Sequence, residues 1–172
     1  MSRWHDLLGM LSERRVGFRV DETMRGTHRF LVGFEPGGVV AGTELPLAFC
    51  ATWGHPHLER FANPLGQDFL FSVMEGTVSA GGVCEEAPLK GTLELRYFKD
   101  STIRYTFEFE AHGRRLRYVG EKRGIRPWNL HRTHTTCYGT ISDLSTGIAL
   151  SDSVVHFDLG LLPSLAASLR LG

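Results

Sequence analysis

The 172-residue sequence lacks a net charge, a cysteine framework and long hydrophobic runs. Its 19 basic and 19 acidic side chains cancel, which argues against a nucleic-acid or membrane-surface partner. The cysteines Cys50, Cys84 and Cys137 are odd in number and form no C-x-x-C pair, so we expect free thiols in a reducing, cytoplasmic compartment. No stretch approaches the ~20 apolar residues of a membrane span, and Leu7–Leu11 is too short for a signal-peptide core.

Catalytic and metal-binding signatures are also missing. The sequence has no serine elbow, Walker loop or dinucleotide fingerprint, and its paired glycines are typical of turns. Four histidines, His55, His57, His131 and His134, have spacings that metal ligands can use, but no carboxylate or thiolate completes a recognisable set. We therefore predict no metal and no cofactor. His134 and Cys137 point to opposite faces of a strand, which argues against a nucleophile and base pair.

The sequence is rich in glycine and in alternating hydrophobicity. Its 20 glycines suit a chain with many tight turns. About eight to ten segments have strand character, and Thr92–Phe98 and Ile103–Glu110 alternate apolar and polar side chains most clearly. No helix alternates with these strands, so the pattern predicts an all-β, antiparallel barrel rather than a parallel sheet.

The two ends of the chain and one internal stretch have sequence patterns that differ from those of the strands. Leucines at helical spacing predict short terminal helices, one over residues 2–12 that caps the barrel and a helix or turn over 161–171. Residues 36–66 are the hardest to interpret, because three prolines from Pro46 to Pro64 interrupt short apolar pieces. Within them, Trp53–His57 has the composition of a loop, suited to a lid or to an ordinary connection. The whole chain, 1–172, is predicted to be one domain.

The His112-Gly113 pair predicts the register of one hairpin. A two-residue turn there pairs Ala111 with Arg114. All outward pairs of charges are then of opposite sign and the inward pairs combine aromatic, aliphatic and glycine residues, an agreement that a one-residue slip destroys. The predicted outward pairs are Glu110–Arg115, Glu108–Arg117 and Arg104–Glu121, and the inward pairs are Phe109–Leu116, Phe107–Tyr118 and Tyr105–Gly120.

Lys122 continues the inward face of this hairpin. There it can bind an acidic head group or form a Schiff base, or it can extend its ammonium to water from the end of a strand. Residues 114–132 are otherwise rich in arginine, but Arg115 and Arg117 are assigned to ion pairs by the register. Arg123, Arg126 and Arg132 remain, and a solvated basic face explains them better than a phosphate or carboxylate site.

Short motifs along the chain match those of a known family. They are Val20-Asp21-Glu22-Thr23-Met24-Arg25-Gly26, Gly76-Thr77-Val78, Gly91-Thr92-Leu93, Arg104-Tyr105-Thr106-Phe107, Gly113-Arg114-Arg115-Leu116, Gly120-Glu121-Lys122, Trp128 and Thr135-Thr136. In this order they resemble a bacterial β-barrel domain attached to cholesterol-oxidase-like flavin oxidoreductases of the glucose-methanol-choline type, within the wider lipocalin-like (calycin) group. The resemblance covers roughly residues 16–160. It implies a lipocalin-like fold and a lipid or steroid context, and it supplies no catalytic residue. The chain departs from the family pattern in lacking a flavin fingerprint and in carrying His134 where an acid is expected.

These observations favour a binding protein over an enzyme. A barrel of about eight strands can enclose one small ligand, so we expect a fatty acid, sterol or related lipid inside it. An enzyme using Glu75, Lys122 or His134 in acid–base roles and an interaction domain that partners an oxidoreductase are the alternatives, and a homodimer is left open. The predicted ligand-binding residues are Tyr105, Phe107, Tyr118, Gly120, Lys122 and His134, with no catalytic residue assigned.

Overall fold

A computed structural model describes residues 17–125 and 136–157, together with the backbone of 170–171. In this part of the chain, nine strands form one antiparallel sheet, with a 3-10 turn at Glu35–Gly37 and a short helix, α1, at Leu58–Ala62. The strands are β1 (Phe18–Phe30), β2 (Glu44–His55), β3 (Phe71–Ala80), β4 (Cys84–Arg96), β5 (Thr102–Ala111), β6 (Arg114–Lys122), β7 (Thr136–Asp143), β8 (Ala149–Phe157) and β9 (Arg170–Leu171).

Strand β1 closes the sheet into a barrel. It pairs with β2 along almost its whole length and with β8 over Met24–Phe30. The other barrel strands follow one another in chain order from β2 to β8, and β9 adds two residues beside Phe18 and Arg19. The predicted all-β antiparallel barrel is therefore confirmed.

Strand β2 lies within residues 36–66, the stretch that was hardest to interpret from the sequence. Trp53–His55 is the end of this strand and not part of a loop. Its inward residues include Leu47 and Phe49, which are buried. The outward positions hold Pro46, Ala48 and Cys50 in place of charged side chains, so the alternation of apolar and polar residues that marks a strand is absent.

Most residues of the two predicted terminal helices lie outside the part of the chain that the structure describes. The helix at 2–12 lies outside the described residues, as does 161–169 of the C-terminal prediction. The last two residues of that prediction, Arg170 and Leu171, form strand β9 instead of a helix or turn. No helix within the described ranges has the length and apolar character needed to span a membrane.

The predicted β5–β6 register is confirmed. Ala111 lies opposite Arg114 and every predicted pair follows, around a turn in which His112 and Gly113 both have positive φ angles, 51° and 72°, as the tight hairpin turn requires. The ion pair of Arg115 differs from the prediction, which placed this arginine beside Glu110. Arg115 reaches diagonally to Glu108 at 2.7 Å, and Arg117 contacts the same carboxylate at 2.7 Å.

Four aromatic rings meet across the inside of the barrel. Phe49 on β2 contacts Tyr105, Phe107 and Tyr118 on the opposite wall, with ring centroids 5.2–5.9 Å apart. Phe107 and Tyr118 stack at 4.7 Å. These four residues, which we call the ring layer, are each at most 1% exposed. Tyr105, Phe107 and Tyr118 were predicted to line a ligand inside the barrel, but at this level their own side chains fill the interior.

Gly120 makes room for the Tyr118 ring rather than for a ligand. It lies opposite Gly139 on β7, and the ring covers both glycines. A Cβ atom added at Gly120 would sit 2.6 Å from the ring and 2.8 Å from the sulfur of Cys137. The pair of glycines thus seats a large side chain, which fixes the position of the ring layer.

His28 joins three parts of the chain on the inner face of β1. Its Nε2 lies 3.0 Å from the carbonyl oxygen of Gly81, and its Nδ1 lies 2.9 Å from the hydroxyl of Ser151 on β8. A carbonyl only accepts, so Nε2 carries the proton and Nδ1 accepts from Ser151. Burial lowers the pKa of His28, an effect partly opposed by the hydrogen bond to Gly81. At neutral pH the folded protein therefore holds a neutral imidazole here.

We expect Gly120→Ala to destabilise the protein by about 1–3 kcal/mol, because the added methyl overpacks the interior. Chemical denaturation measures the free energy of unfolding. Gly33→Ala is the control, since its Cβ would meet no described atom closer than 3.5 Å. In a Tyr118→Leu background the cost of Gly120→Ala should shrink. Equal stabilities of the two alanine variants would mean that the space over Gly120 is open.

His28 should make stability depend on pH. Its pKa is lowered by folding, so between the folded-state value and the unfolded-state value of about 6.5 the unfolded chain binds more protons than the folded chain does. The free energy of unfolding should then fall as the pH drops, by up to about 1.4 kcal/mol per pH unit. Urea titrations at pH 7 and 5.5 should show this slope in the wild type and in His156→Gln, whose histidine is exposed. A His28→Gln protein with the same slope would contradict the assignment.

Candidate functional site

A buried ion pair lies inside the barrel. The ammonium of Lys122, at the end of β6, donates to Oε1 of Glu22 on β1 at 2.6 Å, and both side chains are less than 10% exposed. The phenol of Tyr105 lies 3.0 and 2.9 Å from the two oxygens of the same carboxylate. We call Glu22, Tyr105 and Lys122 the polar cluster.

The strand registers explain how the three groups meet. Tyr105 and Lys122 are inward residues of neighbouring strands, with Gly120 opposite Tyr105. Glu22 belongs to the inward phase of β1 and lies opposite Ala51, a small residue. Barrel closure through β1 brings Glu22 to Lys122, 100 positions away in sequence. The cluster therefore depends on tertiary structure and not on any local motif.

Aromatic rings surround the ammonium. The Lys122 nitrogen lies 5.2 Å from the ring centre of Tyr105 and 5.8 Å from that of Phe157, within the range of cation–π attraction. Burial, and then the neighbouring Glu22 carboxylate, hold the pKa of Tyr105 well above its usual value. The same two causes, in the same order, raise the pKa of Tyr97. Tyr105 therefore stays protonated at neutral pH and acts as a hydrogen-bond donor.

Among the described residues, three buried polar atoms have no hydrogen-bond partner: the indole nitrogen of Trp53, the hydroxyl of Ser72 and Nε of Arg96. The guanidinium of Arg96 is bound to Asp100 through another nitrogen, and Trp53 and Ser72 have no such neighbouring bond from the same group. Ser72 lies opposite Leu93, which lies opposite Tyr105, and Trp53 follows Ala51 on the inner face of β2. An unpaired buried polar group costs roughly 1–3 kcal/mol, so each of these atoms has an unmet capacity to bind a ligand or a water molecule.

The cysteines offer no reactive thiolate next to the cluster. Burial raises the pKa of Cys137 to about 11, so its thiol is protonated at neutral pH, 3.7 Å from the Tyr118 oxygen. Cys50 and Cys84 lie on other strands and are likewise unpaired. A nucleophilic role needs the thiolate, which this environment disfavours at Cys137.

Of the four histidines with the spacing of metal ligands, His55 contacts neighbouring groups of the protein, and two others lie outside the described residues. Nδ1 of His55 accepts from the backbone N–H of His57 at 3.0 Å, and its Nε2 lies 3.7 Å from a carboxylate oxygen of Asp68. His131 and His134 lie outside the described residues. Across residues 17–125 and 136–157, no group of three or more His, Cys, Asp or Glu side chains is arranged to hold a metal.

The structure separates the acid–base residues that the sequence suggested. Glu75 lies opposite Lys90 on the outer face of the barrel and is exposed, so it cannot act together with the buried Lys122. Arg123 lies 3.4 Å from Glu121, while Arg126 and Arg132 fall outside the described residues. No described arginine of the basic segment faces the polar cluster.

The predicted site residues divide into three groups. Tyr105 and Lys122 belong to the polar cluster, and Lys122 is buried rather than extended to water. Phe107, Tyr118 and Gly120 belong to the ring layer or support it. His134 is not described. Sequence reasoning missed Glu22. Its position was a signal for a buried acid, because it lies among alternating apolar residues of β1, after Phe18 and Val20 and before Met24.

Two concave surfaces border the strands of the barrel. One, of about 630 Å³, runs over β1 and β6–β8 and includes Val119, Tyr138 and Val154. The other, of about 840 Å³, borders β1–β4 beside Trp53 and Val73. Neither is lined by a residue of the polar cluster, so neither gives access to the buried charges from the side.

Removing one member of the ion pair should be costly. We expect Glu22→Leu to lower the free energy of unfolding by about 3–5 kcal/mol, because it leaves the Lys122 ammonium buried without its partner. The double variant Glu22→Leu, Lys122→Met should recover a large part of this loss, since it removes both charges. Denaturant titrations of the two single variants and the double variant give the coupling. Strict additivity of the two losses would show that the pair is not coupled.

Comparison with known proteins identifies no relative. No protein-family model, no curated protein sequence and no solved structure matches the chain. The resemblance to domains attached to cholesterol-oxidase-like enzymes therefore stays a prediction, as do an oxidoreductase partner and a homodimer. The closed barrel is compatible with ligand binding, and the polar cluster is its candidate site.

Proposed function

We propose that this protein binds a lipophilic small molecule with a fatty acyl or sterol-like body at the end of the barrel that holds the polar cluster. The polar group of the ligand faces Lys122 and Tyr105. Its apolar body lies among the inward leucine, isoleucine and aromatic side chains of the neighbouring strands. The resemblance found in the sequence motifs supports the same lipid context.

The buried ion pair carries this proposal. Well-packed apolar residues of similar volume often stabilise an interior as much as an ion pair does, or more. A charged pair inside an otherwise apolar barrel is therefore poorly explained by stability alone. A few convergent polar groups on an apolar lining are what a small-molecule site requires, and Glu22, Tyr105 and Lys122 provide them.

The ring layer limits where the ligand can lie. An eight-stranded barrel is just wide enough to be filled by side chains or to hold one small ligand, and Phe49, Phe107 and Tyr118 fill it at their level. The ligand must then lie on the cluster side of these rings. Leu93, Leu95 and Ile103 are inward residues there, and the unpartnered atoms of Trp53 and Ser72 add polar contacts.

Binding explains the cluster better than acid–base catalysis does. Tyr105 remains protonated, so it supplies a donor and not a base. Lys122 is held in an ion pair by Glu22, which makes it a hydrogen-bond donor rather than a nucleophile for a Schiff base. Glu75 is on the outer face. The described residues therefore present donors that orient a ligand.

Lipid addition should raise the melting temperature. A ligand present at 100 times its Kd stabilises the folded state by about 2.7 kcal/mol, which corresponds to a shift on the order of 5–10 °C for a chain of this size. Thermal unfolding with a series of fatty acids, long-chain alcohols and sterols measures the effect.

Two lysine variants locate the site. Lys122→Met should reduce the ligand-induced shift, whereas Lys90→Met, on the outer face of β4, should leave it unchanged. The proposal fails if no member of the series shifts the melting temperature at saturating concentration, or if both variants respond as the wild type does.

A further inference from the structure

We propose that the site prefers a neutral ligand whose polar group is a hydroxyl or carbonyl oxygen, and that it discriminates against a carboxylate. This selectivity rests on the proposed function, since it names the ligand class for the same site. It runs against the simplest expectation for a buried lysine, which is that the ammonium recruits an acidic head group.

Glu22 already occupies the position that a ligand carboxylate would need. Its Oε1 accepts from Lys122 at 2.6 Å, and both of its oxygens accept from Tyr105. A second carboxylate brought to Lys122 would place two negative charges beside one ammonium. Burial weakens solvent screening, so the repulsion between the two anions is stronger here than in water. The ion pair therefore offers no net positive charge to an acid.

The remaining polar groups match a neutral oxygen. An indole nitrogen donates only, and the Trp53 nitrogen has no hydrogen-bond partner within the part of the chain that the structure describes, so it can take an acceptor. The Ser72 hydroxyl can donate or accept. A ligand carbonyl accepts from such donors, and a ligand hydroxyl also donates to the Glu22 carboxylate. Either group joins the network without adding a charge.

Three ligands with one chain length test the selectivity. Binding of 1-dodecanol, 2-dodecanone and dodecanoate is measured by calorimetry at pH 7.5, below the aqueous solubility limits of the alcohol and the ketone and below the critical micelle concentration of dodecanoate. We expect the alcohol and the ketone to bind the wild type at least tenfold more tightly than the carboxylate. This comparison needs no variant, so it decides the matter even if a substitution at Glu22 prevents folding.

Two glutamine variants then assign the selectivity to Glu22. Glu22→Gln keeps an oxygen acceptor for Tyr105 but removes the negative charge, so the preference should shift toward dodecanoate by tenfold or more. Glu75→Gln, on the outer face, should keep the wild-type ratio. Wild-type binding of dodecanoate as tight as that of dodecanol, or an unchanged ratio in Glu22→Gln, overturns the selectivity alone. No binding of any of the three ligands overturns the proposed function and the selectivity with it.

Discussion

Pairing of β1 with both β2 and β8 is the constraint on which the interior depends. This closure places Glu22 beside Lys122 and Tyr105, residues that are far away in sequence and adjacent only in the closed barrel. It also brings Phe49 across the lumen to the rings of β5 and β6. An open sheet with the same strand order would leave the lysine and the glutamate on distant strands.

The barrel interior is divided between packing and polar chemistry. Gly120 and Gly139 let Tyr118 lie flat over two strands, and the ring layer built on it fills the middle of the lumen. Tyr105 belongs to both regions, because its ring packs against Phe49 while its hydroxyl donates to Glu22. The packed rings thus hold one member of the polar cluster in place, which limits the ways in which the cluster can rearrange around a ligand.

The sequence predicted those features that depend on neighbouring strands. The β5–β6 register followed from matched charges and apolar pairs about His112 and Gly113, and it correctly placed Lys122 inside. Strand β2 was missed because Pro46, Ala48 and Cys50 hide its alternation. The partner of Lys122 could not be found locally, since contacts across a barrel depend on closure and stagger. Whether the lumen is filled depends on side-chain volumes, and here Tyr118 takes the space that Gly120 leaves.

Three of the four tyrosines of the chain make the location of the ligand directly measurable. Tyr105 belongs to the polar cluster, Tyr118 to the ring layer alone and Tyr138 to an exposed outer surface. In protein labelled with 3-fluorotyrosine, the ¹⁹F resonance of each can be followed by NMR during titration with dodecanol. The account predicts a saturable shift of the Tyr105 resonance, with Tyr118 and Tyr138 nearly unchanged. A shift confined to Tyr138, or a shift of Tyr118 without Tyr105, would contradict a ligand site at the polar cluster.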